Sequence, residues 1–304
     1  MELRDADLAV RTRGLTKNFG KRTVVDGLDL AIPRGGVYGF LGPNGSGKST
    51  TMKMLLGLLH PSAGQISLLG EDPWGEARAR LMPRIGSMIE HPPGYGHLTG
   101  AENMRLLARL LNLETTRIDR ALELVRLTDH RDRLQRTYSL GMKQRLGIAM
   151  ALAREPELLI LDEPTNGLDP AGIEEIRELM IHLASGGVTV MISSHLLAEI
   201  DRMADILGVL SQGRLVFQGS REELFERSIP DLLVVTPQAD AAANLVRGCR
   251  LERNGIRVQG CGQEDAARLI VRLVQAGIPI HEVRRIQQSL EEVFMDLTGG
   301  AEAL

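Results

Sequence analysis

Gly42–Thr50 (GPNGSGKST) is the stretch whose residue types and spacing are best suited to chemistry. Gly42 is followed by four residues and then Gly47, Lys48 and Ser49, the P-loop spacing. Glycines let the backbone curl so that successive N–H groups converge on phosphate oxygens. Lys48 brings a compact positive charge to the β- and γ-phosphates. The Ser49 hydroxyl suits Mg²⁺, and a helix starting here aims its positive end at the same anion.

Two other places carry groups of matching chemistry. Asp162 and Glu163 directly follow the apolar run Leu158–Leu161. A carboxylate at a buried strand tip beside a phosphate loop suits Mg²⁺, and the next one can polarise an attacking water. The run Val188–Ser193 leads into Ser194 and His195, which places that histidine at an edge of the same sheet, within reach of a γ-phosphate. Phe19 sits in a polar setting (KNFGKR) and reads two ways, as a ring that stacks on adenine or as a loop aromatic tucked onto the sheet.

The elements that must position these groups follow from periodicity. Leu8–Leu15 alternates as an edge strand, and Val24–Ile32 and Val37–Leu41 follow as strands. Lys48–Leu58 is helical, and Arg84–Glu90 is an apolar strand ending in acid. His91–Gly100, rich in Pro and Gly, is an irregular loop, with Thr99 or a neighbour capping the next helix. Residues from about 92 to 154 form a mostly helical insert. Leu158–Asp162 suits a strand buried on both faces. Ile173–Leu183 is a helix, Val188–Ser193 a strand, Leu196–Met203 a helix, and Asp205–Gly219 a hairpin turning at Gln212–Gly213. Alternation of strand and helix makes residues 1–229 an α/β domain with a mainly parallel sheet. From Leu232 the pattern restarts as β-α-β-β-α-β plus a helix, including a strand at Ile278–Val283. Residues 230–304 are therefore expected to form a small ferredoxin-like α+β domain.

Composition narrows the function. The 304 residues carry a net charge of −3, which offers no dedicated nucleic-acid surface. No apolar run approaches a membrane span, and the N-terminus shows no signal-peptide pattern. Cys249 and Cys261 make no disulfide framework, as in a reducing, cytoplasmic compartment.

Together these motifs resemble the ATP-binding subunit of an ABC (ATP-binding cassette) transporter. GPNGSGKST is similar to the Walker A motif, LLILDEP to Walker B, NGLDP to the D-loop, and His195 to the switch histidine; YSLGMKQR at Tyr138–Arg145 resembles the ABC signature. The resemblance covers about residues 8–225 and implies an ABC-type P-loop NTPase fold. It implies ATP contacts at Phe19, Val25, Gly42, Pro43, Asn44, Gly45, Ser46, Gly47, Lys48, Ser49 and Thr50. It adds Ser139, Gly141 and Asp169, with ATP held between two copies packed head to tail, and Mg²⁺ at Ser49, Glu90 and Asp162. Lys48, Glu163 and His195 are the implied catalytic groups. The implied partners are a second copy of the domain and a separately encoded permease, which holds the subunit against the inner face of the membrane; no nucleic acid is implied.

Two departures narrow the resemblance. Leu140 stands where the signature's first glycine is usual, and Glu90 where the Q-loop glutamine is usual. Both resemble exporters of the lantibiotic and bacitracin type, and the C-terminal SLEEVFMDLTG resembles drug-export subunits more generally. The alternative is a soluble ABC ATPase acting on ribosomes or DNA, but such chains carry two cassettes or a long coiled-coil insert, and this one has no sustained heptads. A P-loop kinase or GTPase leaves the signature and D-loop unaccounted for.

Overall fold

The computed structural model describes residues 4–298 apart from 201 and 247, and divides into two compact units, one of the residues up to Ser220 together with Leu297 and Thr298, and one spanning Arg221–Asp296. The first unit runs β1 (Leu8–Phe19), β2 (Arg22–Leu28), β3 (Ala31–Pro33), β4 (Gly36–Leu41), α1 (Lys48–Leu55), β5 (Ala63–Leu68), α2 (Arg78–Leu81) and β6 (Ile85–Met88). It continues with α3 (Gly100–Leu111), α4 (Thr115–Leu124), α5 (Leu140–Leu152), β7 (Leu158–Leu161), α6 (Pro170–Ser185), β8 (Thr189–Ser194), α7 (Leu197–Ile200), β9 (Ile206–Ser211) and β10 (Arg214–Gly219).

Six strands form one sheet in the order β10-β9-β4-β8-β7-β6, parallel except for the β9–β10 hairpin. Its middle strands are apolar along their length because helices cover both faces of such a sheet: every residue of β7 and β8 is buried. Strand order decides where chemistry can occur. β8 lies between β4 and β7, with Leu41 in register with Ser194 and Leu161 with Ile192. The loops leaving the carboxyl ends of these three strands therefore converge, and they hold Lys48, His195 and Glu163. A second, antiparallel sheet (β2-β1-β3, with β5 also on β1) shares a core with the first through Leu15, Val25, Phe40, Met52, Ile160 and Met191. The α3–α5 insert opens on a reciprocal capping box between Thr99 and Glu102.

Several boundaries differ from the sequence reading. β1 extends four residues further, to Phe19, through irregular register with β2. The expected strand over 24–32 is two strands, β2 and β3, separated at Asp29 and Leu30. α1 stops at Leu55 because Gly57 (φ +65°) turns the chain. α7 is a single turn rather than a helix reaching Met203.

The second unit holds α8 (Arg221–Arg227), β11 (Asp231–Val235), α9 (Ala239–Leu245), β12 (Cys249–Glu252), β13 (Gly255–Val258), α10 (Gln263–Gln275), β14 (Glu282–Ile286) and the start of α11 (Leu290–Thr298). α8 groups with this unit, so the division falls nine residues before the expected boundary at 229. Its sheet is antiparallel in the order β12-β13-β11-β14, the ferredoxin-like arrangement. The last strand starts at Glu282, not Ile278, because Gly277 (φ +76°) and Pro279, which has no N–H to donate, delay pairing. Cys249 and Cys261 are free thiols, and burial pushes the Cys261 thiol pKa up.

Candidate functional site

The loop between β4 and α1 is shaped by its glycines. Gly45 and Gly47 lie at φ +78° and +109°, and a Cβ on Gly47 would come within 2.8 Å of the Val24 carbonyl oxygen. A Cβ on Gly42 would meet the Leu210 carbonyl oxygen at 2.5 Å. Asn44 and Gly45 form an exposed crown, flanked by half-buried Pro43, while Ser46, Gly47 and Lys48 are buried; Ser49 and Thr50 begin α1 half-buried. Ser46 Oγ is buried without a hydrogen-bond partner, an orphan that a phosphate oxygen would satisfy.

Lys48 is 5% exposed and donates to the carbonyls of Gly42 (2.6 Å) and Pro43 (3.3 Å). Burial lowers its pKa, and the nearby carboxylates of Glu163 and Asp162 act in the opposite direction. Glu163 Oε1 lies 3.5 Å from Lys48 Nζ, and Glu163 Oε2 lies 2.9 Å from His195 Nδ1. One carboxylate thus bridges the phosphate loop and the histidine, joining groups 115 and 32 residues away in sequence. Glu163 holds a left-handed backbone (φ +46°), a conformation that persists in a non-glycine residue only where its surroundings enforce it.

Asp162 is 6% exposed and accepts from Ser193 Oγ at 2.6 Å. The same hydroxyl accepts from the Glu163 backbone N–H at 2.9 Å, so Ser193 clamps both carboxylate residues to the tip of β8. Sequence reading passed over this serine. A small polar residue closing an otherwise apolar central strand beside an acidic pair was the available signal.

Other expected site residues fall into three groups. Phe19 is 50% exposed, and Lys17 Nζ lies over its ring, 5.1 Å from the centroid. Val25 is fully buried, with a methyl packed close to Gly47. Glu90, also left-handed (φ +67°), is ion-paired with Lys53 of α1, which holds its carboxyl below the usual carboxylate range. Among the described residues no cluster of three or more His, Cys, Asp or Glu side chains is arranged to hold a metal ion.

The signature-like segment lies elsewhere on the same unit. Ser139 caps α5 by accepting from Met142 N at 3.2 Å, and Asp169 caps α6 by accepting from Gly172 N at 3.1 Å. Ser139, Leu140, Gly141 and Asp169 line one cavity of about 400 Å³. Leu140 is 45% exposed and fits because Gly167 has no side chain: a Cβ there would lie 2.8 Å from Leu140 Cδ2. Tyr138 turns inward, donating to the His130 carbonyl at 2.7 Å.

Comparison with known proteins gives the family. The family described as ABC transporter matches residues 25–166. The bacitracin transport ATP-binding protein BcrA of Bacillus licheniformis is 40% identical over 301 residues, which is 96% of this chain and 97% of that protein. The lantibiotic transport ATP-binding protein SrtF of Streptococcus pyogenes is 43% identical over 226 residues, 72% of this chain and 97% of its own length. The structure of cbiO1 from Clostridium perfringens, described as part of the ABC transporter complex cbiONQ, superposes with a TM-score of 0.67 at 30% identity, over 73% of this chain and 92% of that one. The chain belongs to the ABC transporter family, as one of its ATP-binding, ATP-hydrolysing subunits.

Proposed function

We propose that this subunit drives a separately encoded membrane permease that exports a peptide antibiotic or drug. The single observation that carries the catalytic part is the Lys48–Glu163–His195 bridge at the carboxyl ends of three adjacent strands. In this reading the loop at Gly42–Thr50 cradles the phosphates, Phe19 stacks on the base, and Lys48 neutralises the β- and γ-phosphates. Ser49 and Asp162 would hold Mg²⁺, which would supply charge neutralisation at the phosphates. Glu163 accepts the proton of the attacking water, and His195 orients that carboxylate and contacts the γ-phosphate.

Ser139, Gly141 and Asp169 are exposed or half-buried on a face remote in sequence from the phosphate loop, which supports a head-to-tail dimer in which they complete the site of a second copy. No helix among the described residues is long and apolar enough to cross a membrane, which supports translocation on another polypeptide at the inner membrane face. The second unit contains none of the nucleotide motifs and serves as an accessory domain that regulates or props the assembly. The test is affinity purification of the tagged full-length chain from membranes of its own source. A co-purifying protein of several membrane spans, together with loss of resistance on deleting it, supports the reading. Ribosomes or DNA in its place contradict it.

A further inference from the structure

Glu199 lies outside every motif above, yet one of its oxygens holds the two segments that carry the reacting pair. Oε2 accepts from Thr165 Oγ1 at 2.5 Å and from Ser194 Oγ at 3.1 Å. Thr165 is two residues beyond Glu163, and Ser194 directly precedes His195; both are 2% exposed. Ser194 Oγ also lies 3.1 Å from the Leu196 carbonyl, so its single proton is shared between two acceptors, while its lone pairs accept from Leu196 N at 2.9 Å. The turn after Glu163 is tightened by Asn166 N to Glu163 O (3.1 Å) and Leu168 N to Thr165 O (3.1 Å).

We propose that Glu199 is a positioning residue that clasps the Glu163 turn to the end of β8 and so fixes the Glu163–His195 contact. The inference rests on reading Glu163 and His195 as the reacting pair. Glu163 sits in a left-handed conformation that its surroundings must enforce, and two independent ties enforce it. Ser193 holds its backbone N–H from one side, and Glu199 holds Thr165 from the other. Without the second tie the turn can slide, and displacement of about 1 Å in a reacting group costs up to roughly 10²-fold in rate. Glu199 reaches no phosphate-loop residue through its hydrogen bonds, so ATP binding does not depend on it.

ATP hydrolysis by the full-length chain tests this, with kcat and KM measured separately. Glu199→Ala is expected to lower kcat at least 10-fold with KM for ATP within about twofold. Glu199→Gln, whose amide oxygen can still accept from Thr165, should stay within roughly threefold of wild type. Thr165→Val should reproduce the Glu199→Ala loss, and the double variant should be no worse than either single one, because both break the same tie. A structural role alone would lower the melting temperature and leave kcat of the folded protein unchanged. Glu163→Gln is run in parallel. If it is inactive while Glu199→Ala and Thr165→Val retain wild-type kcat, the clasp is wrong and the catalytic reading stands. If Glu163→Gln itself retains its rate, both are wrong.

Discussion

Ser193→Ala removes one hydroxyl and with it two buried hydrogen bonds. Ser193 is fully buried, donates to the Asp162 carboxylate at 2.6 Å and accepts from the Glu163 N–H at 2.9 Å. A bond to a charged acceptor contributes about 1.5–3 kcal/mol, and a stranded donor costs about 1–3 kcal/mol. Glu163 is partly exposed at the sheet tip, so water relieves part of the loss and the lower values apply, about 2.5 kcal/mol together. For a unit of this size that corresponds to a fall of roughly 5–10 °C in Tm. Thermal denaturation of full-length wild type and variant measures it, and ATPase assays on the folded protein should show kcat lowered about 10-fold as the Glu163 turn loosens. A Tm change under about 2 °C with wild-type kcat would refute the clamp.

Three further outcomes follow from the geometry. Gly47→Ala forces a Cβ to within 2.8 Å of the Val24 carbonyl oxygen at φ +109°, so equilibrium binding of a fluorescent ATP analogue should weaken at least 10-fold. Glu292 closes a capping box with Ser289 and pairs with Arg257, and these bonds hold its pKa below the ordinary value. A carboxyl depressed in the folded state stabilises above its unfolded pKa and loses that contribution as pH falls through the folded one. Glu292→Gln should therefore cost about 1 kcal/mol at pH 7, and the difference in Tm from wild type should shrink as pH falls below about 4. Glu90→Gln breaks the pair with Lys53 at the mouth of the loop entering the helical insert. ATP binding should persist, while export per ATP hydrolysed, assayed with the permease, should fall severalfold.

The parts of this protein governed by local chemistry were legible in the sequence. The phosphate loop announces itself because glycine spacing, Lys48 and Ser49 are each required by the anion. Continuous apolar runs gave β4, β7 and β8 because a doubly covered parallel strand needs them. The ferredoxin-like order followed from element succession, although Pro279 moved the last strand by four residues. What periodicity could not give is where side chains 30 to 190 residues apart meet. The Lys53–Glu90 pair joins α1 to the loop that follows β6, two elements that lie apart in sequence. Val25 is fully buried because β2 turns that residue inward beside Gly47. Ser193, Thr165 and Glu199 are ordinary residues by type, and only the adjacency of β7 and β8 makes them supports of Glu163.

In the proposed mechanism Glu163, held between Lys48 and His195, accepts the proton of the water that attacks ATP. Glu163→Gln keeps the size of the side chain and its hydrogen-bonding oxygen while removing its charge. Its ATP turnover should fall by roughly 10²-fold or more while ATP affinity stays within about threefold of wild type. Turnover at the wild-type rate in Glu163→Gln would contradict the claim.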